Sequence, residues 1–272
     1  MRIYSNAYEL MSEMGRELNS YGLTVKPKTY QNQNIEGKDE FITKEIICQQ
    51  YCLTRLPDPE WLFIYTHAKE WADAEFEERI NPDCCNPGEA WKLRRDMWEQ
   101  FLVGKGENIH FDYTYNERIQ DGVIMFVGNG QGYHSGDYDY MPKLQAIISL
   151  LINDNDTRKA VLAIYGSKGN GSETEYDHDH YAGDARIPCS MYYDFLIREN
   201  AKGEKQLNIC YHQRSSDFCM HFGDDVYLAW KLMEHVAKMV GVKPGYLYHT
   251  IDSLHAYKKD WHLLNTSIED IK

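Results

Sequence analysis

The last third of the chain places the tightest constraint on the fold. Met191–Ile197 and Leu207–Gln213 are β-branched and aromatic runs on either side of the turn segment Asn200-Ala201-Lys202-Gly203, so they predict paired strands. Val226, Ala229, Trp230, Met233, Val236, Ala237 and Val240 then repeat at helical spacing and predict a helix buried along one stripe. Gly241 and Pro244 stop that helix, and Tyr246–Thr250 returns to strand. A helix packed on a sheet needs a large core, which 43% apolar residues in a 272-residue chain can supply.

Upstream, Ala7, Leu10, Met11, Met14 and Leu18 share one helical face, closed by Tyr21-Gly22. Between Leu23 and Leu53, Pro27 and runs such as Phe41-Ile42-Thr43 and Ile46-Ile47 predict short strands. A helix is predicted over Glu60–Arg79 with Pro59 tolerated at its start, then a loop at Asn81–Gly88, then a second helix over Glu89–Leu102. Val123–Val127 and Ala160–Tyr165 read as strands, Tyr140–Asn153 as helix, and Gly166–Gly183 as a polar loop. No repeat or linker interrupts this order, so residues 1–272 are expected to form one α+β domain.

The formal charge of −13 has the wrong sign for a surface that grips nucleic acid, so any anionic ligand must meet a local cluster of Arg and Lys. The most apolar run, Ala146–Ile152, is far short of the roughly 20 residues that span a bilayer, and no signal-like segment opens the chain. Seven cysteines, an odd number scattered through a long chain, point to reduced thiols, and the chain reads as cytosolic.

Arg186-Ile187-Pro188-Cys189-Ser190 sets a thiol at the mouth of an apolar strand, and Gln213-Arg214-Ser215-Ser216-Asp217 ends another strand on a guanidinium, two hydroxyls and a carboxylate. An Arg near a thiol makes it a better nucleophile and can also bind an anion. His255 and Tyr257 alternate along a strand and project to one side of it. Taken in order, Asp156-Thr157-Arg158-Lys159, Pro188-Cys189, Gln213–Asp217, Asp225 and Asp252-Ser253-Leu254-His255-Ala256-Tyr257 resemble the thymidylate synthase family, including its pyrimidine hydroxymethylase branch. The resemblance covers roughly residues 137–262 and is loose before that.

The resemblance implies a thymidylate synthase-like α+β fold, a mixed sheet with packed helices, that forms a homodimer through the sheet. Cys189 corresponds to the nucleophile that adds to carbon 6 of a pyrimidine nucleoside monophosphate. Arg214 and Ser215 correspond to phosphate ligands, and Arg158 with Lys159 to phosphate ligands donated by the neighbouring subunit. Lys159 keeps the charge of the family's second Arg but loses its bidentate fork. His255 and Tyr257 correspond to groups that hold the sugar hydroxyl, and Asp217 to a residue that organises the nucleotide and folate pocket. The implied one-carbon donor is 5,10-methylenetetrahydrofolate.

Asp225 departs from the family's synthases, which carry Asn there. Cytosine reverses uracil's donor and acceptor pattern, and a protonated carboxyl, or a carboxylate facing a protonated ring, matches it. An unmatched buried polar group costs roughly 1–3 kcal/mol, so one residue can invert base preference. Because the same change occurs in deoxycytidylate hydroxymethylases, a cytidylate 5-hydroxymethylase is expected. The same residues leave open a uridylate-using enzyme in which Asp225 only caps its helix, or a silent nucleotide-binding paralogue.

The family's proton-transfer Glu is assigned to Glu70, with Glu75 in reserve, although direct overlay on the His-Glu-Leu-Leu-Trp pattern puts Ala68 there. Tyr115-Asn116 stands for the family's Tyr-Gly pair, with Tyr113 as competitor. Asp177-His178-Asp179-His180, Cys84-Cys85 and the glycines of 166–172 lack metal-site or phosphate-loop spacing and are read as connections.

Overall fold

A computed structural model describes residues 1–30, 33–83, 85–126, 138–166 and 186–271. Among the described residues, eight strands form the main sheet: β1 (Arg2–Tyr4), β2 (Leu23–Val25), β3 (Thr43–Leu53), β4 (Val161–Ala163), β5 (Ser190–Glu199), β6 (Lys205–Gln213), β7 (Ser216–Asp217) and β8 (Lys243–Tyr257). Their order is β1-β3-β8-β6-β5-β4, with β2 added to β3 and β7 to β8. The sheet is mixed: β1/β3, β6/β8 and β7/β8 are parallel, and the other pairs are antiparallel.

The expected hairpin is β5–β6, closed by the Gly203 N–H donating to Asn200 O at 2.9 Å, with Gly203 at φ +74°. The apolar stripe forms a helix over Phe222–Val240, and Gly241 ends it at φ +83°, in the left-handed region that glycine adopts without strain. Val226, Ala229, Met233, Val236 and Ala237 are buried, and so are the odd-numbered residues Tyr211, Leu247, His249 and Ile251 on the facing side of the sheet. β8 runs well past Thr250, which makes Asp252–Tyr257 strand. The first helix, Ala7–Tyr21, is longer than its apolar stripe by one turn and is capped by the Asn6 side chain.

Three expectations are corrected. The Glu60–Arg79 helix is two pieces, a 3-10 turn at Pro59–Phe63 and a helix over Lys69–Ile80. Leu62, Phe63 and Ile64 are all buried, which no single helical stripe allows, and the chain turns at His67, where φ is 51°. The Glu89–Leu102 segment is a chain of short turns at Ala90–Arg94, Arg95–Trp98 and Glu99–Phe101. The helix predicted from Tyr140 starts at Lys143, because Tyr138–Pro142 pairs with Gly122–Phe126 as a separate ribbon. Val127, Cys84, Asp177–His180 and most of the 166–172 segment lie outside the described residues. Among the described residues no helix is long and apolar enough to cross a membrane, and no cluster of metal-binding side chains occurs.

Candidate active site

Backbone pairing, before any side chain is considered, brings the two ends of the hairpin together. A register shift between His212 and Gln213 sets Gln213 opposite Ser190, and the Arg214 N–H donates to Cys189 O at 2.9 Å. The Arg214 guanidinium then donates through Nε to Pro188 O at 2.8 Å and through Nη2 to Ile187 O at 3.2 Å. That anchoring leaves Nη2 3.8 Å from the Cys189 sulfur, and Ser215 Oγ approaches the same sulfur at 3.6 Å. Two donors therefore face a half-buried thiol.

Cys189, Arg214, Ser215, Asp217, Asp225, His255, Tyr257 and Tyr115 all line one cavity of about 320 Å³. β7 pairs with β8 so that Asp217 lies beside His255, and Asp217 Oδ1 accepts from the Cys219 N–H at 3.1 Å. Tyr115 meets Cys189's neighbour Ser190, whose Oγ donates to the Tyr115 oxygen at 3.2 Å and bonds Tyr211 Oη at 2.6 Å. With Ser190 donating to Tyr115, Tyr211 donates to Ser190, and the Tyr115 hydroxyl hydrogen is left for the cavity. Burial pushes the Tyr115 phenol well above its ordinary value, with Tyr113 and Cys189 adding to the rise.

Asp225 Oδ2 accepts from Ser216 Oγ at 2.9 Å. Burial pushes its pKa up to about 6, against the pull of Gln213, His221 and Ser216, and Asp224 adds to the rise. The helix starts at Phe222 with His221 at its N-cap position and no side-chain cap, so Asp225 does not cap it. Gln213 is fully buried, and its Oε1 bonds His249 Nε2 at 2.8 Å. His249 in turn bonds Tyr51 Oη at 2.8 Å, and burial holds its pKa down to about 3, so the ring is neutral.

Glu70 is exposed and stands outside the cavity lining, whereas Glu75, one turn further on, lines it. Glu75 Oε1 accepts from Arg79 Nε at 2.8 Å, and the Arg79 guanidinium sits 4.0 Å from the centre of the Tyr115 ring. Desolvation raises the Glu75 pKa despite that partner. Arg158 and Lys159 are exposed in the turn before β4 and do not line the cavity. Tyr113 lines it too, its hydroxyl donating to Ile187 O at 3.4 Å.

Several residues in or beside the cavity lining escape a reading of the chain. Arg94 donates to Asp224 Oδ2 at 2.6 Å, Trp71 stacks on Trp98 at 5.5 Å, and the Arg186 guanidinium lies 4.2 Å from the centre of the Phe101 ring. The i, i+4 spacing of Glu75 and Arg79 was a usable signal. The Arg94–Asp224 pair, 130 positions apart, gave none.

Comparison with known proteins accords with this geometry. The chain is 26% identical over 184 residues to a Methanosarcina mazei protein named "Putative thymidylate synthase", which covers 67% of this chain and 70% of the relative. It is 25% identical over 159 residues to the deoxyuridylate hydroxymethyltransferase of Bacillus phage SP01, covering 57% of this chain and 36% of that protein. It is 22% identical over 190 residues to the thymidylate synthase of Mycoplasma genitalium, covering 62% and 61%. The model of the thymidylate synthase family matches residues 90–271, two thirds of the chain. The chain therefore belongs to the thymidylate synthase family, whose members transfer one carbon to pyrimidine nucleotides.

Proposed function

We propose that this protein is a cytidylate 5-hydroxymethyltransferase, acting on dCMP or CMP with 5,10-methylenetetrahydrofolate. The single observation that carries the cytosine reading is Asp225, a carboxyl with its pKa near 6 in the same cavity as the thiol of Cys189. At that pKa a proton is readily shared with the ring nitrogen of cytosine, while the other oxygen accepts from the exocyclic amine. Uracil presents an N–H where cytosine presents that nitrogen.

Cys189 adds through Sγ to carbon 6, and the displaced electron pair makes carbon 5 the nucleophile. Arg214 and Ser215, already beside Sγ, hold the phosphate, and His255 and Tyr257 hold the sugar. Asp217 organises the space between nucleotide and folate. Tyr115 presents its hydroxyl hydrogen near carbon 5, and Glu75 replaces Glu70 as the proton-transfer group that orders the water that completes the hydroxymethyl product.

The tryptophan wall fits a flat folate ring. Trp71 and Trp98 form a stacked pair in the cavity lining, and Trp91 lines it beside them. When bound, methylenetetrahydrofolate supplies the methylene carbon.

A homodimer completes the phosphate site in this reading, with Arg158 and Lys159 reaching a neighbour's cavity. Support comes from the sheet face opposite the helix stripe. Tyr192 and Tyr246 are exposed there, and Asp194 Oδ1 is buried without a partner among the described residues.

A uridylate substrate is the second reading, favoured by the likeness to the phage SP01 protein. The test is the mass of the product formed from dCMP, CMP and dUMP with methylenetetrahydrofolate. A gain of one hydroxymethyl group on a cytidylate is expected; turnover of dUMP alone rejects the cytosine reading. A silent binder would form no covalent adduct between Cys189 and a 5-fluoropyrimidine nucleotide.

A further inference from the structure

We propose that His221 is the catalytic acid that protonates the folate amine from which the transferred carbon departs. The inference rests on the assignment of this cavity to a nucleotide and a folate.

His221 is held by its backbone on both sides. Its N–H donates to Asp217 O at 2.9 Å, and its carbonyl accepts from the Asp225 N–H at 2.9 Å. The side chain lines the cavity and is 25% exposed, so a ligand can reach it. It touches both parts of the site: its charge acts on Asp225, the residue assigned to the base, and its ring lies 5.8 Å from that of Trp98, in the wall assigned to the folate.

Asp224 stands behind the imidazole. Its Oδ2 lies 3.6 Å from His221 Nδ1 and is fixed by Arg94 Nη1 at 2.6 Å, while Arg94 Nη2 donates to Met220 O at 3.0 Å. A fixed carboxylate on the Nδ1 side stabilises the imidazolium against the helix N-terminus, whose field opposes a cation, and leaves Nε2 to exchange a proton with a ligand. The other lining groups are committed or hold their protons too tightly. Burial pushes up the phenols of Tyr30, Tyr113, Tyr115 and Tyr257. Glu75 is paired with Arg79, and Glu78 accepts the N–H groups of Glu89 and Ala90. His255, the other lining histidine among the described residues, lies beside Asp217.

His221 acts after the transferred carbon has bonded to carbon 5 of the base. Carbon 5 gives up its proton to water, and that electron pair forms a double bond to the transferred carbon. The carbon–nitrogen pair stays on the amine, which takes the proton of His221. The incoming water bonds its oxygen to the carbon and releases a proton, which restores the imidazolium.

Acid-quenched intact-mass spectrometry of the full chain with dCMP and methylenetetrahydrofolate reads this step, on the parent and on His221→Gln. The variant is expected to lose about 10²- to 10⁴-fold in turnover while a covalent protein–nucleotide–folate species accumulates. With a 5-fluoropyrimidine nucleotide, whose fluorine cannot leave as a proton, it should trap that species within threefold of the parent rate. A smaller loss of turnover, no accumulation, or trapping lost in step with turnover overturns the proposal. If His221→Gln does not fold, His221→Ala takes its place: added imidazole should restore turnover at least tenfold, and no rescue overturns the proposal. A parent that uses only dUMP would defeat the cytosine reading, yet the same measurements with dUMP would still decide on His221, because the leaving amine is the same. A parent that neither turns over nor traps any nucleotide would defeat the one-carbon reading and this inference with it.

Discussion

Arg214 Nε donates to Pro188 O at 2.8 Å while its Nη2 lies 3.8 Å from the Cys189 sulfur, so the residue preceding the thiol fixes the cation that faces it. Lysine can supply the charge but not both contacts, because its ammonium is a single point on a flexible stem. Arg214→Lys should lower kcat/KM by about 10- to 100-fold, as expected for losing one or two charge-assisted hydrogen bonds. Steady-state rates with the preferred nucleotide check this, and a change below twofold contradicts it.

Gly223 makes possible the seating of the helix that carries Asp224 and Asp225. A Cβ at this position would stand 1.8 Å from Leu62 O, a backbone atom that cannot swing aside. Gly223→Ala should destabilise the fold by about 2–3 kcal/mol, the upper range for overpacking, and weaken nucleotide binding with it. Urea unfolding measures the first effect and calorimetry the second.

Asp225 gives the nucleotide a pH signature. Its folded pKa of about 6 lies above the ordinary 3.8, so its contribution to stability is full below pH 3.8 and is lost as pH rises through 6. Asp225→Asn removes that loss and should be more stable relative to the parent at pH 8 than at pH 4, by roughly 3 kcal/mol. If the carboxyl shares a proton with cytosine, dCMP binding by the parent should weaken up to tenfold per pH unit above 6. Asp225→Asn should abolish that slope.

His249 titrates in the opposite sense. Its folded pKa is held down to about 3 from 6.5, so its contribution is full above pH 6.5 and is lost as pH falls toward 3. In the Asp225→Asn protein, where the Asp225 titration is absent, His249 should contribute a fall in stability of roughly 2 kcal/mol between pH 7 and pH 5. A flat profile over that interval contradicts a buried neutral His249.

The late part of the fold was legible because periodicity and turn residues agree there: the Asn200–Gly203 turn, the Val226–Val240 stripe and Gly241 each specify one local structure. The stretch from Glu60 to Leu102 was not. Leu62, Phe63 and Ile64 form a consecutive buried run that fits no helical stripe, and its neighbours Glu60 and Arg79 gave no sign of the break at His67. The cavity was legible where its residues sit on motifs, from Cys189 to Tyr257. Arg94 and Asp224 are paired only by tertiary packing. Glu70 and Glu75 differ by one helical turn and a fraction, and only the seating of Lys69–Ile80 against the cavity tells which of them faces inward.

The most direct test of the central claim exchanges the residue proposed to read the base. With methylenetetrahydrofolate, the ratio of kcat/KM for dCMP over dUMP should favour dCMP in the parent enzyme and move toward dUMP by at least tenfold in Asp225→Asn. An unchanged ratio in a folded, active Asp225→Asn protein would contradict the account.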